Sequence, residues 1–376
     1  MNTRNFSTRT EYRQKNNPKC DNVHIIGLDM GYSGPKCFHE NGNFVFPNYC
    51  QKLTGELFGK LSKTDIIYED IKSSDKYCVG EIASRSLSEN DVVAEDALFG
   101  RNHYLHPNFL ITFRTSLALA LWDIDTDGSD VFIQTGLPPA YIKQDEPYLR
   151  SVIRQNHNFK VTMGDETKTF DITIKDDQID VMYQPMGSFY SIAIDANGNI
   201  TGNLADYMNS NLMVFDGGFG TLDKFFVKGK QLETKDTNPN LGMKRVLEET
   251  RKLIQQELNT SVSIPAMQTC LKTGVIKVND LVNLTVKEYP ISPYLEKANE
   301  KVREEAFESI KDYVFDIKYL IMTGGTGSAW CEYFKEKLKN IPLNVIPGNQ
   351  NSSLPTVYAN ARGYYMYRLN QFKMRK

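Results

Sequence analysis

Short apolar runs alternate with longer amphipathic ones along this chain. Val23–Leu28 is β-rich and stops at the turn-forming Gly31 and Gly34; Phe44–Phe46 reads as a strand returning after the Glu40–Asn43 turn. Residues 47–105 are irregular, rich in Ser, Lys and Asp, and read as an inserted subdomain. Phe109–Trp122 is long and apolar enough for a buried helix, and Val131–Thr135 for a buried strand after the acidic loop Asp123–Asp130. Helical spacing returns over Asp145–His157. Alternation over Phe170–Ile174 predicts a half-exposed strand, Ile179–Tyr183 another strand, and Met186 the start of a helix.

From Leu212 the pattern repeats: an apolar strand (Leu212–Phe215), an aspartate, a glycine turn and a returning strand at Lys224–Val227. Amphipathic helices are predicted over Met243–Leu258 and Leu295–Val314. Leu320–Thr323 is a buried strand, followed by a helix to about Leu338 and a strand at Asn344–Ile346. The final helix starts after Pro355, a residue suited to a first turn. Strands alternating with helices predict α/β layers, and the repeat predicts two such domains facing each other.

Length and composition narrow the class. The 376 residues exceed one small core, and 40% hydrophobic with 24% charged residues is ordinary for a globular protein. A net charge of -2 supplies no whole-molecule field for nucleic acid. Six scattered cysteines with no Cys-x-x-Cys pair argue against a zinc site or a disulfide scaffold, and for reduced thiols. The polar start MNTRNFSTRTEYRQKNNPKC has no signal-peptide core, and no stretch is apolar enough to span a bilayer, so the expected location is the cytoplasm. The first twenty residues carry Arg4, Arg9, Arg13, Lys15 and Lys19 against Glu11, and residues 1–21 read as a disordered, solvated arm.

Three glycine turns carry the candidate chemistry. In the first, Asp29-Met30-Gly31-Tyr32-Ser33-Gly34-Pro35-Lys36, backbone N–H groups, the Ser33 hydroxyl and Lys36 can hold phosphate oxygens, while Asp29 holds Mg²⁺ through water. Alone, this turn reads as well as a hairpin with a surface lysine. The second, Asp216-Gly217-Gly218-Phe219-Gly220-Thr221-Leu222-Asp223, again follows a strand and begins with Asp, and its three glycines suit close approach to a ligand. The third, Thr323-Gly324-Gly325-Thr326-Gly327-Ser328, passes from strand to helix. It offers a flat surface for a nucleoside, or simply tight packing. No Walker loop and no Gly-x-Gly-x-x-Gly after the first strand is present.

In this order and spacing the turns resemble the phosphate-1, phosphate-2 and adenosine motifs of the actin, sugar-kinase and Hsp70 superfamily. The ending Pro355-Thr356-Val357-Tyr358-Ala359-Asn360-Ala361-Arg362-Gly363 and the run Gly136-Leu137-Pro138 with Tyr141 are similar to plasmid actins, specifically the ParM (StbA-type) segregation ATPases. The resemblance implies an actin-like two-domain fold: domain I over 22–205 and 355–376 with an insertion at about 47–105, and domain II over 206–354 with an insertion at about 229–311. It implies ATP, with GTP as an alternative, and Mg²⁺ in the cleft. Asp29 and Asp216 would hold hydrated Mg²⁺; Gly31, Ser33, Lys36, Gly217, Gly218, Gly220 and Thr221 would meet phosphates. Gly324, Gly325 and Thr326 would line the adenosine pocket, with Gly242 and Lys244 near the base or ribose. Gln184 stands where the family positions the attacking water, or else satisfies backbone groups at a strand end. Tyr32 replaces the small hydroxyl residue common in the first loop.

The implied function is a slow ATPase that polymerises head-to-tail and segregates plasmid DNA through a small DNA-binding adaptor, with no direct nucleic-acid or membrane contact. The alternatives are a small-molecule kinase of the same superfamily and a shape or division actin. The first wants a carboxylate base where Gln184 stands, and the second an amphipathic membrane anchor.

Overall fold

The computed structural model describes residues 2–85, 103–126, 128–280 and 282–374. The part of the expected insertion at 86–102 lies outside them.

Two main sheets share one plan. The first is built from β1 (Glu11–Gln14), β2 (Val23–Gly31), β3 (Gly34–His39), β4 (Gly42–Val45), β8 (Asp130–Leu137) and β11 (Ile179–Tyr183), in the order β1-β4-β3-β2-β8-β11. The second is built from β12 (Leu212–Gly217), β13 (Leu222–Lys228), β14 (Gln231–Asn238), β17 (Tyr319–Thr323) and β18 (Asn344–Pro347), in the order β14-β13-β12-β17-β18. In each, an antiparallel hairpin (β2–β3, β12–β13) is flanked by two parallel strands reached through crossovers.

Alternation along the strands layers the molecule. Ile26 and Leu28 face a core shared with Phe109, Phe113 and Leu117 of the helix Pro107–Ala120, while Ile25 faces the other way. In the second sheet Met213 and Phe215 join a core with Val246, Leu295 and Trp330, and Leu212 and Val214 face back toward the first lobe. Between the sheets lie the helices Gln184–Ala193 and Ala359–Met374, forming a common core with Ile25, Phe38, Val214 and Ile321. They cross where Gly187 meets Gly363, and a β-carbon on Gly363 would overlap the Gly187 carbonyl oxygen at 1.6 Å. The chain passes from one lobe to the other beside these two helices.

The insertions differ in extent from the expected ones. The small sheet of the first lobe, in the order β10-β9-β6-β7-β5, joins β5 (Cys50–Lys52), β6 (Ile66–Asp70) and β7 (Lys76–Val79) to β9 (Asn156–Met163) and β10 (Glu166–Thr173). Its hairpin β9–β10 comes from beyond the 47–105 segment, and His157, expected at a helix end, is in β9. In the second lobe, Gln231–Asn238 is a strand of the main sheet, so the insertion begins after it. That insertion comprises the helices Met243–Leu258, Ile264–Thr273 and Ser292–Glu308 and the hairpin β15 (Val275–Asp280)–β16 (Thr285–Pro290).

In place of the solvated arm that the polarity of residues 1–21 predicts, Thr3–Phe6 forms a 3₁₀ turn and Glu11–Gln14 an edge strand paired with β4. Backbone pairing and a few anchoring side chains order a segment that has little apolar content of its own.

Candidate functional site

The first two turns are hairpin tips aimed at each other across the cleft. In the β2–β3 hairpin Asp29 and Lys36 are directly opposed; in the β12–β13 hairpin Asp216 opposes Asp223, and Gly218 N–H donates to Thr221 O at 2.9 Å to close the tip. The Tyr32 ring lies so close to Gly220 that a β-carbon there would come within 2.6 Å of it. The third turn packs behind the second. Thr326 Oγ1 donates to Gly218 O at 2.7 Å, and Gly324 takes φ +74, where a β-carbon would sit 2.3 Å from Gly217 O. Left-handed backbone and the lack of a side chain are both required there.

The three turns enclose one cavity of about 650 Å³, within the range of roughly 300–1,000 Å³ typical of small-molecule sites. Asp29, Gly31, Ser33, Lys36, Gln184, Asp216, Gly218, Gly220, Thr221, Gly324, Gly325 and Thr326 all line it. Gly217, Gly242 and Lys244 are behind its wall. Gly217 packs on Gly327; Gly242 precedes the helix Met243–Leu258, whose Lys244 N–H donates to Phe219 O at 2.8 Å; and the Lys244 ammonium lies 4.0 Å from Glu248.

Asp29 is 5% exposed and Asp216 2%. Burial raises the pKa of Asp29, opposed by the neighbouring Lys36 and a hydrogen bond from Asn360. Burial also pushes Asp216 up to about 7, opposed by Asn360, reinforced by the negative charge of Asp29 and relieved by Lys36. Behind it Asp223 is pushed up to about 8 by burial and by Asp216, although it accepts from Thr237 Oγ1 at 2.6 Å and Thr221 Oγ1 at 3.0 Å. Asp29 and Asp216 thus share one lysine with Asp223 behind them, a surplus of buried acid that a divalent cation would relieve. Among the described residues, no group of three or more His, Cys, Asp or Glu side chains could by itself hold a metal ion. The site fits a cation that takes most of its ligands from water and phosphate, as Mg²⁺ does.

Two residues complete the arrangement. Gln184, at the start of its helix, donates from Nε2 to Asp29 Oδ1 at 3.3 Å. Asn360, which the sequence reading placed in a family-like ending but not in the site, donates from Nδ2 to Asp216 Oδ2 at 2.7 Å and accepts from Ser188 Oγ at 2.6 Å. The position of Asn360 directly after the predicted first turn of the last helix was the one available signal. Asn299 and Arg303 of the helix Ser292–Glu308 also line the cavity, and nothing local in their sequence marked them.

Twin sheets with two helices between them and a cleft at the sheet ends are the plan of the actin-like fold. Residues 27–187 match the family model for the N-terminal domain of actin-like proteins, and the whole chain has the actin-like fold. It is similar to a non-polymerisable quadruple mutant of pCBH ParM (17% identity over 94% of this chain and 100% of that one, TM-score 0.72). It is also similar to the ParM of a 15-stranded filament from Clostridium botulinum (17%, 92% and 98%, TM-score 0.70). A third similar structure is Ta0583, an archaeal actin homologue in complex with ADP (17%, 94% and 100%, TM-score 0.57). No curated protein matches the sequence. Among the described residues no helix is long and apolar enough to cross a membrane.

Proposed function

We propose that this chain binds ATP with Mg²⁺ between its lobes, polymerises head-to-tail, hydrolyses the nucleotide slowly in the polymer, and segregates plasmid DNA through a DNA-binding adaptor. The reading is carried by one observation: Asp29 and Asp216, delivered by equivalent hairpins of two lobes, face one cavity with Lys36 and Gln184 beside them. The similar structures include one solved with ADP and two solved as filaments, which supports nucleotide binding and self-assembly here.

In this reading Gly31, Ser33, Lys36, Gly218, Gly220 and Thr221 hold the phosphates. Gly324, Gly325 and Thr326 form the floor under the nucleoside, while Gly242 and Lys244 support the second turn from behind. Asp29 and Asp216 would hold Mg²⁺ through water, and the ion would neutralise charge on the phosphates during hydrolysis. Gln184 orients the attacking water by hydrogen bonds. As a neutral amide it is a weak base, which suits slow turnover. Because the nucleotide touches both lobes, it favours the closed cleft through contacts made only there. Surfaces that match only in the closed state then give a heterologous, open-ended contact, and hence filaments.

Light scattering after addition of ATP and Mg²⁺ tests the proposal. A rise that decays as ATP is consumed is expected. No rise at high protein concentration, with ATP consumed only when a small hydroxylated acceptor is added, would establish the kinase alternative instead.

A further inference from the structure

The amino-terminal arm crosses the mouth of the cavity. At its start it is fixed to the helix Ile264–Thr273 of the second lobe. Thr3, 8% exposed, donates from Oγ1 to Leu271 O at 2.8 Å, Arg4 Nε donates to Lys272 O at 3.0 Å, and Thr8 N–H donates to Gln268 Oε1 at 3.0 Å. Phe6 packs against the core of that lobe. Two residues further on the arm is fixed to the first lobe, where Thr10 N–H donates to Glu81 Oε1 at 3.2 Å and Glu11–Gln14 joins β4 as an edge strand. Glu81 also meets Lys272 of the second lobe at 3.0 Å. Arg4, Phe6, Thr8 and Arg9 line the cavity where the arm passes over it.

Extended chain spans at most about 3.6 Å per residue, so the two residues from Thr8 to Thr10 reach no more than ~7 Å. No slack remains. The lobes cannot separate at this level unless the Gln268 or Glu81 anchor breaks, and both of these lie outside the two main sheets.

We propose that this arm is a latch: it holds the two lobes closed over the bound nucleotide and sets the rate at which the nucleotide leaves. The proposal rests on the reading of the cavity as a nucleotide site, and it assigns a regulatory role to a segment that reading leaves unused.

The test compares the full chain with a variant lacking residues 2–8, which keeps the β1 strand. Small-angle scattering of both without nucleotide gives the radius of gyration, and chase of a bound fluorescent ATP analogue by excess ATP gives the release rate. A latch predicts a larger radius in the variant, although mass has been removed, and release about tenfold faster or more, as the loss of one or two net hydrogen bonds implies. A radius that is unchanged or smaller, or release within twofold of the full chain, overturns it. Gln268→Leu, with the arm intact, guards against a folding defect. It removes the acceptor of Thr8 N–H and should shift both readouts in the same direction; a folded variant that shifts neither overturns the latch. If the full chain fails to bind the analogue, the nucleotide reading falls, while the radius still decides whether the arm holds the lobes together.

Discussion

At the scale of single residues the site is organised around Asn360. Its amide nitrogen supplies the hydrogen bond that Asp216 Oδ2 receives in a fully buried setting, and its oxygen accepts from Ser188, which in turn meets Thr323 Oγ1 at 2.7 Å. One side chain from the last helix thereby ties the second hairpin, the strand before the third turn and the helix Gln184–Ala193 together. Asn360→Leu keeps the volume and removes both polar groups. A buried carboxyl left without its donor costs about 1–3 kcal/mol, so urea unfolding of the variant should show a stability loss of that size. A loss below about 0.5 kcal/mol would mean that Asp216 is held by other groups. The aspartates and glycines of the three turns could be read from sequence because each turn is local and its chemistry is carried by neighbouring residues. Asn360 could not be read in the same way, since it lies 144 positions from Asp216 and an asparagine on a helix carries no signal of what it will meet.

At the scale of elements, the apolar runs were legible wherever a strand or helix is buried on a period of its own: Val23–Gly31, Asp130–Leu137, Leu212–Gly217 and Met243–Leu258 all follow their patterns. The strand Gly34–His39 was not, because its six buried residues include Pro35 and Lys36, and the register with β2, not alternation, fixes it. Gln231–Asn238 and the arm were likewise hidden, being polar segments whose order comes from an edge they pair with. The Gly187–Gly363 crossing is another case, since each glycine matters only through the other. Gly363→Ala would place a methyl carbon 1.6 Å from the Gly187 carbonyl oxygen, and neither helix can retreat without disturbing the core it shares with both sheets. Overpacking of this kind costs roughly 1–3 kcal/mol or more. The variant should unfold at clearly lower urea concentration, and because the crossing joins the two lobes, its nucleotide affinity should fall as well. Wild-type stability and affinity in Gly363→Ala would show that the two helices can slide apart freely.

At the scale of the whole molecule, two helices join the sheets and the cavity and the arm lie where the lobes face each other, so in the proposed reading whatever occupies the cavity acts on the angle between lobes. In the proposed reading, a polymer contact that depends on this angle is stronger with ATP bound than after hydrolysis, and a difference of about 1.4 kcal/mol per contact changes the subunit dissociation constant tenfold. Gln184 gives a way to separate the two steps, because it touches Asp29 but belongs to neither the glycine turns nor the arm. Gln184→Ala should bind ATP within about threefold of the wild-type affinity while losing on the order of 10²-fold or more in hydrolysis. If assembly responds to bound ATP and disassembly to its hydrolysis, the variant will form sedimentable polymer at the wild-type protein concentration and keep it long after the wild-type polymer has dispersed. Polymer that disperses on the wild-type schedule despite slow hydrolysis would uncouple the cleft from the filament, and polymer that never forms would place Gln184 in assembly, not in the handling of water.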